Sequence, residues 1–416
     1  MKFLFVHQNF PGQFLHIVRH LARQHRHEIV FITEANANHM GGVRKVPYMK
    51  PQPAAIETHV VARDLDAAVR RAAVVAHTAA SLRTLGFRPD IVIGHHGWGE
   101  LLNLPDIWPD VPLLGYMEFF YHADRADVGF DAEFPSRVED FPRIRAKNTT
   151  NLLALGLGGH GQTPTEWQMS TYPDWAQPRI HLLTEGVDLD ICKPATGRRA
   201  AITIGGQKIG PQEKVVTYLS RDLEPYRGFH VMMRSLPKLL AARKDIRVVI
   251  VGGDGVSYGN PPAKGGTWRE VMLAELGGKV DLSRVLFPGR LDYQTYVKLL
   301  QRSDAHIYLT YPFVASWSLR ESLAMGCAVI GSDTEPVREF IAHEQNGLLT
   351  PFFDTDKLVD NVVRLIEDQK LARTLRANAR RYAEANLAMP DYIARYEALI
   401  AKLTGATVED GMLPAT

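Results

Sequence analysis

Short apolar runs alternate along this chain with longer stretches whose apolar residues recur every three or four positions. Residues 2–6 are the first such run and read as a buried strand. After the Pro11-Gly12 turn, Phe14, Ile17, Val18 and Leu21 fall on one face of a helix that starts near Gln13. Residues 29–33 predict a second strand. Residues 54–58 with 60–61 predict a third, leading into a long helix over 64–85. Strands at 90–93 and 113–117 follow. Residues 122–142 are acidic and turn-rich and are expected as a long loop. A helix over 148–157, a glycine-rich loop over 158–164 and a strand over 180–183 come next. Strands alternating with helices imply a doubly wound α/β domain.

The alternation restarts after residues 193–212, whose scattered Gly, Pro, Ala and Arg read as an interdomain linker. Strands are expected at 215–219, 248–251, 285–287, 305–309 and 328–330. Helices are expected between them at 231–240, 268–276, 293–301 and 317–325, with a loop over 257–268. Helical patterns at 356–386 and 391–403 close the chain, interrupted at Pro390. The expected organisation is two Rossmann-like domains, residues 1–192 and 193–390, with the terminal helix of 391–416 packing back on the first. Parallel sheets bind ligands beyond the carboxyl ends of their strands, so a deep cleft between two such domains is the expected site.

Composition narrows the classes. Of 416 residues, 45% are apolar and 23% charged, which is the profile of a globular protein. The net charge of +2 argues against a dedicated nucleic-acid binder. Cys192 and Cys327 form no metal or redox spacing and fit a reducing cytosol. The first residues lack the apolar length of a signal peptide, and no run approaches membrane-spanning length, so a cytoplasmic location is expected. His16, Arg19, His20, Arg23 and Arg26 share a face of the first helix. That face reads first as solvated, and second as a peripheral contact with an anionic membrane.

Candidate chemistry centres on residues 311–333, YPFVASWSLRESLAMGCAVIGSD. Ser316 is placed to cap a helix from Trp317 to Met325, and Gly326 to end it. A strand, a tight loop and a helix N-terminus present backbone N–H groups to a phosphate. Taken alone, the stretch reads first as an ordinary βαβ unit.

Six pieces in order change that reading. They are HQNFPGQF from His7, TEGVDLDICKP from Thr184, YLSRDLEPYRGF from Tyr218, VIVGGDG from Val249, VLFPGRLDYQTYVKLLQRSDAHIYLT from Val285 and RESLAMGCAVIGSDTEPVREFIAHEQNGLL from Arg320. The chain resembles the family 4 retaining glycosyltransferases, which have the GT-B architecture of two facing Rossmann-like domains. The resemblance implies transfer of a sugar from a UDP- or GDP-linked donor to a glycan, lipid-linked or small-molecule acceptor, with retention at the anomeric carbon. The leaving diphosphate would help take the acceptor proton, and no metal or other cofactor is implied. The C-terminal domain would hold the donor and the N-terminal domain the acceptor.

Residue by residue, the resemblance places Arg221 and Arg227 on the diphosphate, six positions apart on a loop after a strand. Glu321 matches the carboxylate that reads the ribose, and its bland alternative is a charge near the helix N-terminus. Gly12, Arg290, Ser316, Trp317, Ser318 and Leu319 complete the expected donor contacts. Two departures stand out. Phe313 occupies the place of the family's first Glu, eight residues before Glu321, and Glu118 stands where the family often has a His. Glu118 is expected to bind a sugar hydroxyl or act as a base, joining Arg221 and Arg227 as a catalytic candidate, or else to sit satisfied at a strand end. His95 and His96 in GHHGWGE are the acceptor-side candidates, against the plainer reading of packed core histidines. Asp188-Leu189-Asp190 mimics a metal motif and is read as structural. Rival readings are a GT-B nucleotide-sugar epimerase and a non-catalytic sugar-binding protein. A dinucleotide-dependent oxidoreductase is a weak third, because GGDGVSYG at 252–259 is not the required G-x-G-x-x-G leading into a helix.

Overall fold

The computed structural model describes residues 1–197 and 199–406. The chain forms two compact units, Met1–Glu185 with the C-terminal segment from Pro390, and Gly186–Met389.

The first unit is built on seven strands: β1 (Lys2–Val6), β2 (Glu28–Glu34), β3 (Arg44–Tyr48), β4 (Ile91–His95), β5 (Leu113–Tyr116), β6 (His160–Thr163) and β7 (Ile180–Leu182). They lie in the order β3-β2-β1-β4-β5-β6-β7, and every neighbouring pair is parallel. Helices cover both faces of such a sheet, so its central strands are apolar without alternation. Phe3, Leu4, Phe5 and Val6 of β1 are accordingly all at 0% exposure.

Two expectations fail here for physical reasons. The third strand is Arg44–Tyr48, and residues 54–61 form turns instead. Among the described residues β3 pairs only with β2, and an edge strand tolerates Pro47 and few apolar residues, which hides it from a hydrophobic scan. β6 lies inside the expected glycine-rich loop. A Cβ at Gly161 would stand 3.0 Å from Met117 Cγ, so the glycine lets the strand pack. The acidic stretch 122–142 ends in the short turn Val138–Asp140 and leads into a helix, Phe141–Ala146.

The second unit opens with a hairpin where a linker was expected, β8 (Ile202–Ile204) and β9 (Gln207–Ile209). Gly205 and Gly206 turn it at φ +54° and +78°, the positive values a tight two-residue hairpin needs. Its main sheet holds β10 (Lys214–Asp222), β11 (Ile246–Gly253), β12 (Val285–Gly289), β13 (Ala305–Tyr308), β14 (Val329–Ser332) and β15 (Leu348–Thr350). The order is β12-β11-β10-β13-β14-β15, again parallel throughout. The predicted 356–386 helix is two helices, Thr355–Glu367 and Gln369–Asn386, divided at Asp368. The Asp368 carboxylate caps the second by accepting the Leu371 N–H at 2.9 Å. Pro390 starts the last helix, Met389–Thr404, and does not break one. Gln162 Nε2 donates to Tyr396 Oη at 2.6 Å, tying this helix to the first sheet. The part of the expected 391–416 helix beyond residue 406 lies outside the described residues.

Candidate functional site

In the second unit, β10 ends in a short turn, Pro225–Arg227. Gly228 follows at φ +72°, and a Cβ there would stand 2.5 Å from Leu309 Cβ, so this turn can lie against the chain leaving β13 only with glycine. Arg227 is buried at that junction. Its Nη1 donates to Thr310 Oγ1 and to the Val314 carbonyl, both at 2.8 Å, and the Tyr258 ring lies 4.9 Å from the guanidinium carbon. Burial would lower the pKa of Arg227, but Tyr308, Tyr258 and Glu224 outweigh it, and the group stays charged. Behind it, fully buried Glu224 accepts the main-chain N–H groups of Ser257, Tyr258 and Gly259 at 3.2, 3.2 and 2.9 Å. Asp222 accepts from Ser257 Oγ at 2.6 Å and from Arg290 Nη2 at 2.7 Å. The segments that follow β10, β11, β12 and β13 are thus wired together at one sheet edge. Tyr226, Tyr258 and Phe313 pack there, with the Phe313 ring 5.6 Å from Tyr226 and 5.1 Å from Tyr258.

The helix Trp317–Ala324 begins at the same edge. Ser316 gives its N–H to the Tyr308 hydroxyl at 2.7 Å. Its own hydroxyl lies 2.6 Å from Ser318 Oγ and makes no cap bond. Glu321, about one turn in, accepts Tyr293 Oη–H at 2.8 Å and Tyr296 Oη–H at 2.6 Å. Burial raises the Glu321 pKa, and the two phenols pull it back.

The first unit presents different chemistry at its carboxyl edge. His7 follows β1, His95 ends β4, and Glu118 follows β5. The ring of His7 meets that of His95 edge-on, centroids 5.6 Å apart, and His95 stacks on Tyr116 at 5.4 Å. His7 Nδ1 lies 2.9 Å from both the main-chain N and the carbonyl oxygen of Asn9, and His95 Nδ1 accepts the Gly97 N–H at 3.1 Å. Both Nε2 atoms are buried without a hydrogen-bond partner among the described residues, and that of His95 stands 3.7 Å from Glu118 Oε2. Burial, then the neighbouring His95, push the His7 pKa down to about 3. Gln168 Nε2 grips the Glu118 carbonyl at 2.6 Å, and Asn148 Oδ1 accepts the Tyr121 N–H at 2.8 Å, so the segment carrying Glu118 is strapped in place. Deeper, Glu100 is at 0% exposure and accepts the Tyr48 hydroxyl at 2.8 Å. Burial pushes its pKa up to about 7.

Residues 25–192 match the family described as glycosyl transferase family 4 group, and residues 204–382 match glycosyl transferases group 1. The chain belongs to the family 4, group 1 glycosyltransferases. A phosphatidyl-myo-inositol mannosyltransferase of Mycolicibacterium smegmatis is 29% identical over 167 residues, 39% of this chain and 38% of that protein. A GDP-mannose-dependent monoacylated alpha-(1-6)-phosphatidylinositol monomannoside mannosyltransferase of Corynebacterium glutamicum is 25% identical over 217 residues, 50% of this chain and 53% of that protein. The matches thus span about two-fifths to half of these relatives' length. Among solved structures, sucrose-phosphate synthase from Thermosynechococcus elongatus superposes with a TM-score of 0.71 at 15% identity, covering 98% of this chain and 100% of its own. The Anabaena protein HepE, in complex with UDP and glucose, reaches 0.67 at 15% identity over 97% of this chain and 100% of its own. The fold is therefore GT-B, two Rossmann-like parallel-sheet domains.

Within this chain the expected residues divide into those the edges gather and those they do not. Arg227, Arg290, Ser316, Trp317, Ser318 and Glu321 lie at the carboxyl edge of the second sheet. Arg221 does not lie on the loop beyond β10. It is an exposed residue of the strand itself, and the hydrogen bonds that hold Arg227 do not involve it. Leu319 is a core side chain whose N–H returns to the Ser316 carbonyl at 3.2 Å. Phe313 is 2% exposed within the aromatic packing. In the first unit Gly12, at φ +54°, lies over His7, where a Cβ would come 2.8 Å from Nδ1. His95 and Glu118 face one another, but His96 turns inward. A Cβ on Gly115 would meet its ring at 1.8 Å, so His96 fills the space of an absent side chain in the core. Sequence reasoning missed His7, Glu224, Tyr293 and Tyr296. His7 had a signal, being the first polar residue after an apolar strand. The tyrosines had only their spacing of three on a helix.

Proposed function

We propose that this glycosyltransferase moves a hexose from a nucleoside diphosphate donor to a hydroxyl-bearing acceptor with retention of anomeric configuration. The observation that carries the reading is Arg227, a charged guanidinium fixed where the segments after β10 and β13 meet. A diphosphate leaving group gathers charge in the transition state, and a preorganised cation needs no reorganisation to stabilise it. That cation is also why the reaction is proposed to need no metal. Arg290 and the first turn of the helix Trp317–Ala324 would add donors to the phosphates, and Glu321 would accept from the ribose. In the first unit Glu118, faced by Nε2 of His95, would meet sugar or acceptor hydroxyls, and the departing phosphate oxygen would take the acceptor proton. The mannosyltransferase names among the relatives support a hexose, and the GDP-mannose name and the UDP complex support either base. Two buried, unpaired thiols, Cys192 and Cys327, suit work in the cytoplasm. No helix among the described residues is long and apolar enough to cross a membrane.

One observation favours a second reading, a nucleotide-sugar binder without chemistry: buried Phe313 stands where the family carries a carboxylate. The two part on a single measurement. Incubation with UDP- and GDP-hexoses and lipid, glycan or small-molecule acceptors should release nucleoside diphosphate in step with glycosylated product. Binding that raises the thermal midpoint in proportion to occupancy, with no diphosphate released for any acceptor, would leave the binder.

A further inference from the structure

Tyr293 and Tyr296 lie three positions apart on the helix Tyr293–Arg302, and both turn their hydroxyls onto the carboxylate of Glu321 in the helix Trp317–Ala324. We propose that the two tyrosines are positioning residues for nucleotide recognition: each occupies one lone pair of the Glu321 carboxylate, fixing its plane so that the remaining lone pair on each oxygen meets a vicinal ribose hydroxyl of the donor. The inference rests on the reading that Glu321 faces the ribose, and it adds what makes that residue selective.

The geometry supports it in three steps. A glutamate carboxylate turns freely about its last torsion, which has broad minima. Here Oε1 takes Tyr293 at 2.8 Å and Oε2 takes Tyr296 at 2.6 Å, so separate donors on the two oxygens select one orientation. Hydrogen bonds to an ionised acceptor at these lengths are the strong class. The donors are themselves braced. The two phenol rings stack, centroids 5.7 Å apart at 23°. Tyr293 Oη also lies 3.3 Å from the sulfur of buried Cys192, whose carbonyl is held by Arg380 Nη1 at 2.8 Å. Finally, a carboxylate offers about four acceptor positions, and the phenols use two. A vicinal diol needs two. Glu321 is only partly buried, so the remaining positions are open to a ligand.

The arrangement works only with an ionised Glu321, because a protonated one would present a donor to a donor. Burial pushes its pKa up, and the phenols, then Arg320 of the same helix, oppose that. The other charged groups nearby are Arg376 and Arg380 of the helix Gln369–Asn386 and Asp188 beside Cys192. Arg376 and Arg380 spend N–H groups on main-chain carbonyls. Removing a phenol should therefore raise the Glu321 pKa and move the acid loss of ribonucleotide binding to higher pH.

The test is titration calorimetry on the full chain with UDP, GDP and their 2′-deoxy counterparts. The proteins are the parent, Tyr296→Phe, Tyr293→Phe and Glu321→Ala, each measured from pH 5 to 8. The parent should prefer the ribonucleotide by about tenfold. Tyr296→Phe should cut that preference to about twofold by weakening the ribonucleotide alone, and should lose binding at a higher pH than the parent. Tyr293→Phe should do the same to a smaller degree. If Glu321→Ala abolishes the preference while both phenylalanine variants keep it, with the acid limb unmoved, the positioning role is wrong and the ribose reading stands. If Glu321→Ala keeps the preference, or no nucleotide binds any of the proteins, the ribose reading falls and the positioning role with it. Should Tyr296→Phe lose its fold by circular dichroism, Tyr293→Phe decides, since that side chain is 47% exposed and its removal leaves the core untouched.

Discussion

The two units share a sheet plan and differ at the edge where ligands bind. In the second, a buried guanidinium sits in an aromatic cluster, while Glu224 is spent on loop N–H groups and Asp222 on the Ser257 hydroxyl and Arg290. In the first, two imidazoles, of which burial keeps His7 uncharged, stand beside the partly exposed carboxylate of Glu118. Two similar sheet plans thus present different chemistry, set by the residues that follow their strands. A positive edge suits phosphate, and an imidazole–carboxylate edge suits hydroxyl groups. This contrast explains why the residues immediately past β1, β4 and β5 should govern turnover and those past β10 and β13 should govern nucleotide affinity.

The strongest way to break the contrast is Arg227→Ala. The substitution removes two charged-donor bonds of 2.8 Å and the ring contact with Tyr258. The expected loss in diphosphate binding is roughly 1.5–3 kcal/mol for each hydrogen bond that the guanidinium gives the phosphates, so about 3–6 kcal/mol for two. Nucleoside binding should change far less, and calorimetry with UDP against uridine measures the difference. Equal losses for both would mean that Arg227 serves only the loops. Next in size is Glu118→Gln. Turnover should fall about a hundredfold, near 3 kcal/mol in barrier, with UDP and GDP affinity within twofold of the parent. Steady-state rates beside nucleotide titration decide it, and an undiminished rate would move Glu118 to a purely structural place.

How much of this contrast could be read from the sequence depends on how each feature is encoded. The central strands announce themselves, because a strand covered on both faces must be apolar throughout. β3 and β6 do not, because an edge strand carrying Pro47 and a strand thinned by Gly161 are recognised only once their neighbours are in place. Arg227 and Glu321 were legible from motif order, and the strap that holds Glu118 was not, since Gln168 and Asn148 reach it from well down the chain. His95 and His96 are adjacent and chemically identical, yet one faces Glu118 and the other fills the gap over Gly115. Strand alternation makes that choice, and the register of β4 has to be known before it can be used.

Glu100 sharpens the contrast from beneath the first edge. Its pKa stands at about 7, above the ordinary 4.5, so the folded chain holds this proton more tightly than the unfolded chain does. Its contribution to stability is therefore whole below pH 4.5 and is lost as the pH rises through about 7. The shift corresponds to a loss on the order of 3 kcal/mol. Glu100→Gln keeps an acceptor for Tyr48 and removes the titration. Urea midpoints should show the variant gaining on the parent between pH 5 and 8, and a difference independent of pH would mean that Glu100 is already ionised in the folded chain.

The smallest effect concerns the helix start that the positive edge relies on. Ser316 occupies the cap position of Trp317–Ala324, but its hydroxyl pairs with Ser318 and not with a helix N–H. Thr267 caps Trp268–Leu276 in the ordinary way, accepting from Glu270 N–H at 3.2 Å in a reciprocal capping box. A capping hydroxyl is worth about 1 kcal/mol, whereas an exchanged hydroxyl pair near the surface is worth a few tenths. Thr267→Ala should therefore lower stability by about 1 kcal/mol and leave UDP and GDP affinity alone. Ser316→Ala should cost less than about 0.5 kcal/mol in stability and, on the proposed reading that this helix start holds the phosphates, weaken nucleotide binding severalfold. If Ser316→Ala instead matched Thr267→Ala in both measurements, this helix would start like any other, and the second edge would owe its phosphate affinity to Arg227 without help from the Trp317–Ala324 terminus.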